Sequence, residues 1–356
     1  MQLGIIGLPQ SGKTTLYKAL TRSDVPTEIS SGRMQVHTAV VDVPDPRVDD
    51  MVAIYKPKKV VHTKVTYADI AGLDASGNKE GLSGALINQL GQMDGFLHVT
   101  RQFENASVPH QAGSIDPLRD VQRMDTEFIL NDLIMVERRL EKLREEHRRG
   151  VTRLREVIQT EIDLFERLQT VLNSELPLRH YNFTDGEDKI LASFGFISRK
   201  PQIIVINQSE DQPELTFESP HPKTVVVSMP AKLEMDIAAL EPEDAAIFMQ
   251  EFGIQETGLS RLIRLSYDLL GLQTFFTVGD KEVHAWTLRR GSTAKEAAGV
   301  IHSDMEKGFI RAEIISYEDL MKFGSTTEAR AKGRLRVEGK DYRMADGDII
   351  EVRFNI

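Results

Sequence analysis

The chain has 356 residues, 40% hydrophobic and 28% charged, with a formal net charge of −10 and no cysteine. That length is enough for two or three domains with at least one sizeable core. Without cysteine there are no disulfides, thiolate metal sites or thiol nucleophiles, and the negative charge excludes a generally basic nucleic-acid coat, leaving only a local basic patch for RNA and no indication of DNA. No stretch approaches the roughly 18 consecutive apolar residues of a membrane span, and Met1 leads straight into an apolar run without a signal-peptide pattern, so a cytoplasmic location is expected.

From the start, short apolar runs alternate with helical stretches: Leu3 to Ile6, Lys13 to Leu20, Val65 to Ile70, Gly84 to Leu90 and Gly95 to Val99. This order predicts a mostly parallel sheet covered by helices. Between about Arg123 and Pro177 the period changes. Ile129, Leu133, Val136, Leu140 and Leu143 recur at helical spacing, and after a polar break Leu154, Ile158, Ile162, Phe165, Leu168 and Leu172 do the same. Two such helices joined by a short turn predict an antiparallel coiled-coil hairpin whose apolar stripes pack on each other. The α/β style returns with Gln202 to Asn207 and Lys223 to Val227. From Val278, strand candidates at Glu282 to Thr287, Ile310 to Ile315, Gly333 to Val337 and Ile349 to Phe354 surround one helical stretch, Thr293 to His302, as in a small α+β module. Expected boundaries are therefore 1–122 and 179–277 for an interrupted nucleotide-binding domain, 123–178 for the inserted arm and 278–356 for the module.

The chemistry sits first at Gly7-Leu8-Pro9-Gln10-Ser11-Gly12-Lys13-Thr14, which fits G-x4-G-K-[ST] between a strand and a helix. Its glycines let backbone N–H groups turn inward around phosphate oxygens, and the following helix N-terminus adds positive potential. Lys13 is expected to neutralise the β and γ phosphates and Thr14, followed by Thr15, to reach a magnesium ion. Asp69, ending an apolar strand, would hold that ion from the other side, and Gly72 would offer its N–H to the γ phosphate. Leu73 stands where many GTPases place a water-orienting glutamine and cannot do that work. Another polar group is then needed, and His110, in the loop Ser107 to Gly113, is the best placed one, with a merely solvated loop histidine as the alternative. Asn207-Gln208-Ser209-Glu210 occupies the place of the guanine-reading Asn-Lys-x-Asp, but Glu210 is one methylene too long for that geometry. At the hairpin tip, Arg144, Arg148, Arg149, Arg153 and Arg155 concentrate positive charge diluted by Glu145, Glu146 and Glu156, which fits either RNA phosphate contact or plain solvated helix ends.

In motif content and order the chain resembles the Obg-like ATPase (YchF) family of translation-factor-related P-loop proteins. The resemblance is carried by Gly4-Ile5-Ile6-Gly7-Leu8-Pro9, Val43-Pro44-Asp45-Pro46-Arg47, Asp69-Ile70-Ala71-Gly72-Leu73, Lys281 to Thr287 and Ala297 to Asp304. It implies a Ras-like P-loop domain with an inserted helical hairpin and a C-terminal β-grasp (TGS) domain. It also implies slow, magnesium-dependent ATP hydrolysis, an altered base-reading motif at Asn207, Gln208 and Glu210, a hydrolytic histidine at His110, and ribosome or rRNA contact through the arm and TGS domain. One departure is Arg33-Met34-Gln35-Val36-His37, where the family usually carries Thr-Ile-Glu-Pro-Asn, leaving Thr38, Ser31 or Arg33 to face the magnesium or phosphates. A competing reading is a nucleotide-gated ribosome-binding scaffold of GTP or mixed specificity with incidental hydrolysis. A small-molecule P-loop kinase lacks an arginine-bearing lid, and monomer is the default state.

Overall fold

The computed structural model describes residues 1–22, 36–70, 82–105, 107–108, 110, 112–149 and 154–355. Its strands are β1 (Gln2–Ile6), β2 (Val36–Asp42), β3 (Lys59–Val61), β4 (Lys64–Ile70), β5 (Gly95–Arg101), β6 (Gln202–Asn207), β7 (Thr224–Met229), β8 (Leu272–Thr277), β9 (Glu282–Arg289), β10 (Phe309–Ser316), β11 (Arg336–Glu338) and β12 (Asp348–Phe354). The helices are α1 (Lys13–Thr21), α2 (Pro46–Tyr55), α3 (Gly84–Gln92), α4 (Pro117–Arg149), α5 (Arg155–Asn173), α6 (Asp185–Leu191), α7 (Ala231–Ala238), α8 (Pro242–Glu251), α9 (Gly258–Leu269), α10 (Ala294–Ile301), α11 (Ser303–Lys307), α12 (Tyr317–Phe323) and α13 (Thr326–Ala331). Two compact units result: Met1–Ala39 with Thr66–Leu259, and Val40–Val65 with Ser260–Ile356.

The first unit is built on a sheet in the order β2-β4-β1-β5-β6-β7, in which β4, β1, β5, β6 and β7 are parallel neighbours. Strands enclosed on both faces need no polar alternation, and every residue of β5 and β6 is buried. Ile6, Ala68, Ile70 and Phe96 pack beneath Leu86, Leu90, Met124 and Phe128. The strand after β1 in space is β5 on one side and β4 on the other, so the C-terminal end of β1 is the switch point where such sheets open a crevice.

As the apolar periods predict, α4 and α5 form the helical hairpin, with Val136, Leu140 and Leu143 in one cluster with Ile158, Ile162, Phe165 and Leu168. Two details differ from the sequence expectation. The first helix starts six residues before Arg123, at Pro117, whose missing N–H costs nothing in a first turn. Leu154 lies outside the seam, 74% exposed, because it is the N-cap residue of α5 and not part of the helix. The root of the arm is polar. Asp132 accepts from the backbone N–H groups of Ile197 (3.1 Å) and Ser198 (2.7 Å), and burial pushes its carboxyl up to about 6 against the pull of those bonds. Fully buried Arg179 pairs with Asp125 and donates from Nε to Thr224 Oγ1 at 3.1 Å.

In the second unit the sheet order is β11-β10-β12-β8-β9-β3. The β8–β9 hairpin, the parallel β12–β8 pair and α10 between strands make a β-grasp fold. A capping box, Thr293 with Glu296, starts α10. The sequence reading places residues 40–65 in the nucleotide-binding part and starts the module at 278, whereas here 40–65 and everything from Ser260 cluster together. The cause is pairing and burial: β3 runs parallel to β9 with Val60 opposite Val283, and Val48 and Met51 of α2 are buried among Phe276, Val283 and Ile349. Arg47 adds a 2.7 Å pair to Asp346 and lies 5.1 Å from the Phe276 ring centroid. Helices α11, α12 and α13 supplement the single helix expected in the module; His302, Ser316 and Ser325 cap them.

One buried group makes the first unit acid-sensitive. His98, in β5 beside Ile6 and Ile204, is fully buried, and neither ring nitrogen has a hydrogen-bond partner among the described residues. Burial first, then the charges of Arg179 and Lys13, pull its imidazole down to about 3. The folded chain therefore refuses a proton that the unfolded chain accepts below about 6.5, so stability is full above that pH and lost as pH falls toward 3. Urea midpoints should show His98→Leu losing less stability than the parent on acidification, with the difference reaching roughly 2 kcal/mol by pH 5; identical pH slopes would remove His98 as the cause.

Candidate functional site

At the end of β1 the chain reverses through a tight loop. Gly7, Gln10 and Gly12 take positive φ values of 145°, 63° and 98°. A Cβ on Gly7 would stand 2.2 Å from the Val99 carbonyl oxygen, and one on Gly12 would stand 2.2 Å from Asn207 Nδ2. Both positions thus require glycine for space as well as for backbone conformation. Leu8 and Pro9 complete the bend, which Ser11 N–H closes weakly on the Leu8 carbonyl at 3.4 Å. No side chain caps α1, so its first N–H groups remain directed to the loop's interior, an arrangement suited to an anion.

Lys13 is buried and donates from Nζ to the carbonyls of Gly7 (3.0 Å) and Leu8 (2.9 Å), which holds the ammonium over the loop. Ser11 Oγ is buried without a hydrogen-bond partner among the described residues. Thr14 and Thr15, both half-buried, follow on the first turn of α1. Across the strand pair, Asp69 is in register with Ile5, which puts this half-buried carboxylate at the same sheet end as Gly7. Its charge reaches α1: burial, and then Asp69, hold the Tyr17 hydroxyl above its usual range. An orphan hydroxyl, a poised ammonium and a bare helix N-terminus suit a polyphosphate; a threonine hydroxyl and a carboxylate at one sheet end suit a hard divalent cation. Gly72, Leu73 and Arg33 lie outside the described residues.

Next to the loop is a cavity of about 660 Å³ lined by Gly12, Thr15, Phe103, Asn105, Asn207, Gln208, Glu210 and Lys232, among others. Asn207 forms its inner wall. Its Nδ2 donates to the Ser11 carbonyl at 3.0 Å and its Oδ1 accepts from Ala231 N–H at 3.1 Å, so one side chain ties the P-loop to α7. Its carbonyl accepts from Gln102 and Phe103 N–H at 2.8 and 3.2 Å. Gln208 Nε2 donates to the Gln212 carbonyl at 3.0 Å, while its Oε1 is buried with no partner among the described residues. Glu210 is exposed at the cavity wall. Phe103 escapes a motif-based reading, because what holds it is tertiary: Arg101 lies 4.6 Å from its ring centroid and donates from Nε to its carbonyl at 3.0 Å.

His110 belongs to the loop that follows. Its Nε2 is 3.0 Å from Asp120 Oδ2, and its Nδ1 is 3.2 Å from the N–H of Ala112. Arg119 engages the other oxygen of Asp120 at 2.9 Å. The structure thus brings together the P-loop, Asp69, Asn207, Gln208 and Glu210, and places His110 against the first turn of α4.

Comparison with known proteins bears on this arrangement. A family model, YchF-GTPase_C, described as a protein of unknown function (DUF933), matches residues 272–355. The chain is 39% identical to the ribosome-binding ATPase YchF of Haemophilus influenzae over 99% of each. It belongs to the YchF family. The ribosome-binding ATPase YchF of Bacillus subtilis is 36% identical over 99% of each chain. Obg-like ATPase 1 of Pongo abelii is 32% identical over all of this chain and 92% of its own length. Among solved structures, the Schizosaccharomyces pombe YchF GTPase superposes with a TM-score of 0.87 at 30% identity, covering 99% of this chain and 97% of that one. A Ras-like P-loop domain, an inserted helical hairpin and a C-terminal β-grasp domain are therefore the YchF architecture.

Because Asn207 braces the P-loop through a donor, Asn207→Asp would set a carboxylate oxygen against the Ser11 carbonyl. Titration with fluorescent analogues should show affinity for both ATP and GTP falling about tenfold or more, roughly 1.4 kcal/mol. Unaltered affinity would mean that the brace does not shape the loop.

Proposed function

We propose that this YchF-family chain binds ATP in preference to GTP, with Mg2+, and hydrolyses it slowly as a nucleotide-dependent switch that associates with the ribosome. The observation that carries the reading is the Asn207-braced cavity joined to a P-loop in which Gln208 and Glu210 replace the guanine-reading lysine and aspartate. Guanine recognition needs a short carboxylate accepting from the ring N1–H and the exocyclic amine together, which Glu210 serves poorly. Gln208 lines the same cavity, and its Oε1, buried without a partner among the described residues, is an acceptor that a rotation of the side chain would match to the exocyclic amine of adenine and mismatch to the guanine carbonyl. Phe103 offers an apolar ring for the base to lie on.

Phosphates entering the cradle would take over Lys13 Nζ from the Gly7 and Leu8 carbonyls and meet the N–H groups of the loop and of α1. Thr14 and Asp69 are the residues that would hold Mg2+, which supplies positive charge to the transferring phosphoryl group. Gly72 remains the expected N–H donor to the γ phosphate. His110 is the group read as orienting the attacking water.

Ribosome association is a property named for the H. influenzae and B. subtilis relatives and is proposed here by family membership. The arm (123–178) and the β-grasp module are the surfaces proposed for it, with rRNA as one contact. Among the described tip residues, Arg144 pairs with Glu166 and Arg149 with Glu145, so the tip keeps less free positive charge than its sequence indicates. A cytoplasmic location goes with this role; among the described residues no helix is long and apolar enough to cross a membrane. The second reading, a gated scaffold using GTP or both nucleotides, draws on the S. pombe relative being named a GTPase.

Calorimetry should find ATP bound more tightly than GTP, and equal or tighter GTP binding would replace the first reading with the second. Steady-state assays should find His110→Ala lowering turnover by roughly a hundredfold with ATP affinity retained. Unchanged turnover would reject His110 as the water-orienting group.

A further inference from the structure

We propose that Asp120 is the positioning residue for His110: its carboxylate fixes the imidazole tautomer with the proton on Nε2, leaving the Nδ1 lone pair for the attacking water. This rests on the reading of His110 as the hydrolytic histidine.

The hydrogen bonds around the ring assign the roles. A backbone N–H can only donate, so the Ala112 N–H at 3.2 Å makes Nδ1 an acceptor. A neutral imidazole then carries its proton on Nε2, and that N–H points at Asp120 Oδ2, 3.0 Å away. Both side chains are shielded, with 8% of the His110 side chain and 3% of the Asp120 side chain exposed, so bulk water does not compete for the contact.

Asp120 is itself held on every side that would let it turn. Its second oxygen accepts from Arg119 Nε at 3.2 Å and Nη2 at 2.9 Å. Arg119 is anchored in turn on Ser114, through Oγ at 2.9 Å and the carbonyl at 2.7 Å. The Asp120 backbone is fixed by its N–H to the Asp116 carbonyl at 3.1 Å, in the first turn of α4. A rigid carboxylate behind an imidazole N–H is the arrangement that sets tautomer and orientation in hydrolytic triads and metal sites. The 3.2 Å bond to Ala112 is the one a water would replace, since the Asp120 bond is the shorter and the charge-assisted one.

A purely structural role would also explain a buried, arginine-paired aspartate at a helix start, so the test must read the imidazole. The full-length chain, labelled with 15N-histidine and free of nucleotide, should show His110 protonated on Nε2 in long-range proton–nitrogen spectra. A proton found on Nδ1 overturns the proposal without any variant. Asp120→Asn can present an N–H to Nε2 and so stabilises the opposite tautomer. It should move the proton to Nδ1, lower kcat roughly 10- to 100-fold, leave ATP affinity within about twofold, and cause no further loss when added to His110→Ala. An unchanged tautomer or kcat, or the same fold-loss with and without His110, assigns Asp120 to structure alone. If His110→Ala keeps full turnover, it is the hydrolytic reading of His110 that fails; if His110→Ala is impaired and Asp120→Asn is not, only the positioning role falls.

Discussion

The side chain of Asn207 is the contact on which the nucleotide site depends. It leaves the end of β6, donates to the Ser11 carbonyl in the P-loop and accepts from Ala231 N–H at the start of α7. Three segments, one 196 residues from Asn207 in the chain and one 24 residues from it, are thereby fixed around one amide. Gly12 is forced by the same contact, because any Cβ there would overlap Nδ2. An amide is suited to this position because it brings one donor and one acceptor on a planar group, and both are used. The loop's curvature, which turns its N–H groups inward, and the wall of the adjacent cavity are consequences of one buried hydrogen-bonding group.

Around that amide, charge is distributed so that the loop is primed without a ligand. Lys13 is held by two loop carbonyls, partners that a phosphate oxygen outcompetes through its negative charge. Ser11 Oγ has the opposite character: it is buried without a hydrogen-bond partner among the described residues, and a polar atom left unsatisfied in the interior costs stability. Gln208 Oε1 repeats the pattern on the base side.

Most of the phosphate site was legible in sequence because its constraints are local. A glycine, a lysine one step later and a hydroxyl beside it are consecutive, and β6 announces itself by the apolar run Ile203 to Ile206. The arm was legible for the same reason, apart from its ends, where Pro117 and Leu154 obey capping geometry more than periodicity. What sequence did not disclose are pairings set by the tertiary fold. Lys59 contacts Glu282 across 223 positions, and no pattern within residues 40–65 indicates that β3 completes the sheet of the β-grasp unit. Phe103 acquires its place from Arg101 stacking, and His110 its partner from a helix start ten residues later. Alternation and motif spacing carry no information about either.

The three aspartates in the first half of α4 give the arm a defined seat. Asp120 meets His110 and Arg119, Asp125 meets Arg179, and Asp132 meets two backbone N–H groups. Apolar packing alone tolerates sliding by a turn, since one aliphatic surface resembles the next; three buried carboxylates with dissimilar partners do not. Shifting the helix by one turn would take Asp125 from Arg179, Asp132 from its two N–H donors and Asp120 from His110, in a medium that penalises an unpaired charge. The register of the arm on the first unit is therefore fixed electrostatically, at the expense of desolvation that an all-apolar root would avoid. Since the first of these contacts is also the anchor of His110, a displacement of the first turn of α4 moves the partner of that imidazole. Arm position and the orientation of the His110 ring then share a single hydrogen bond.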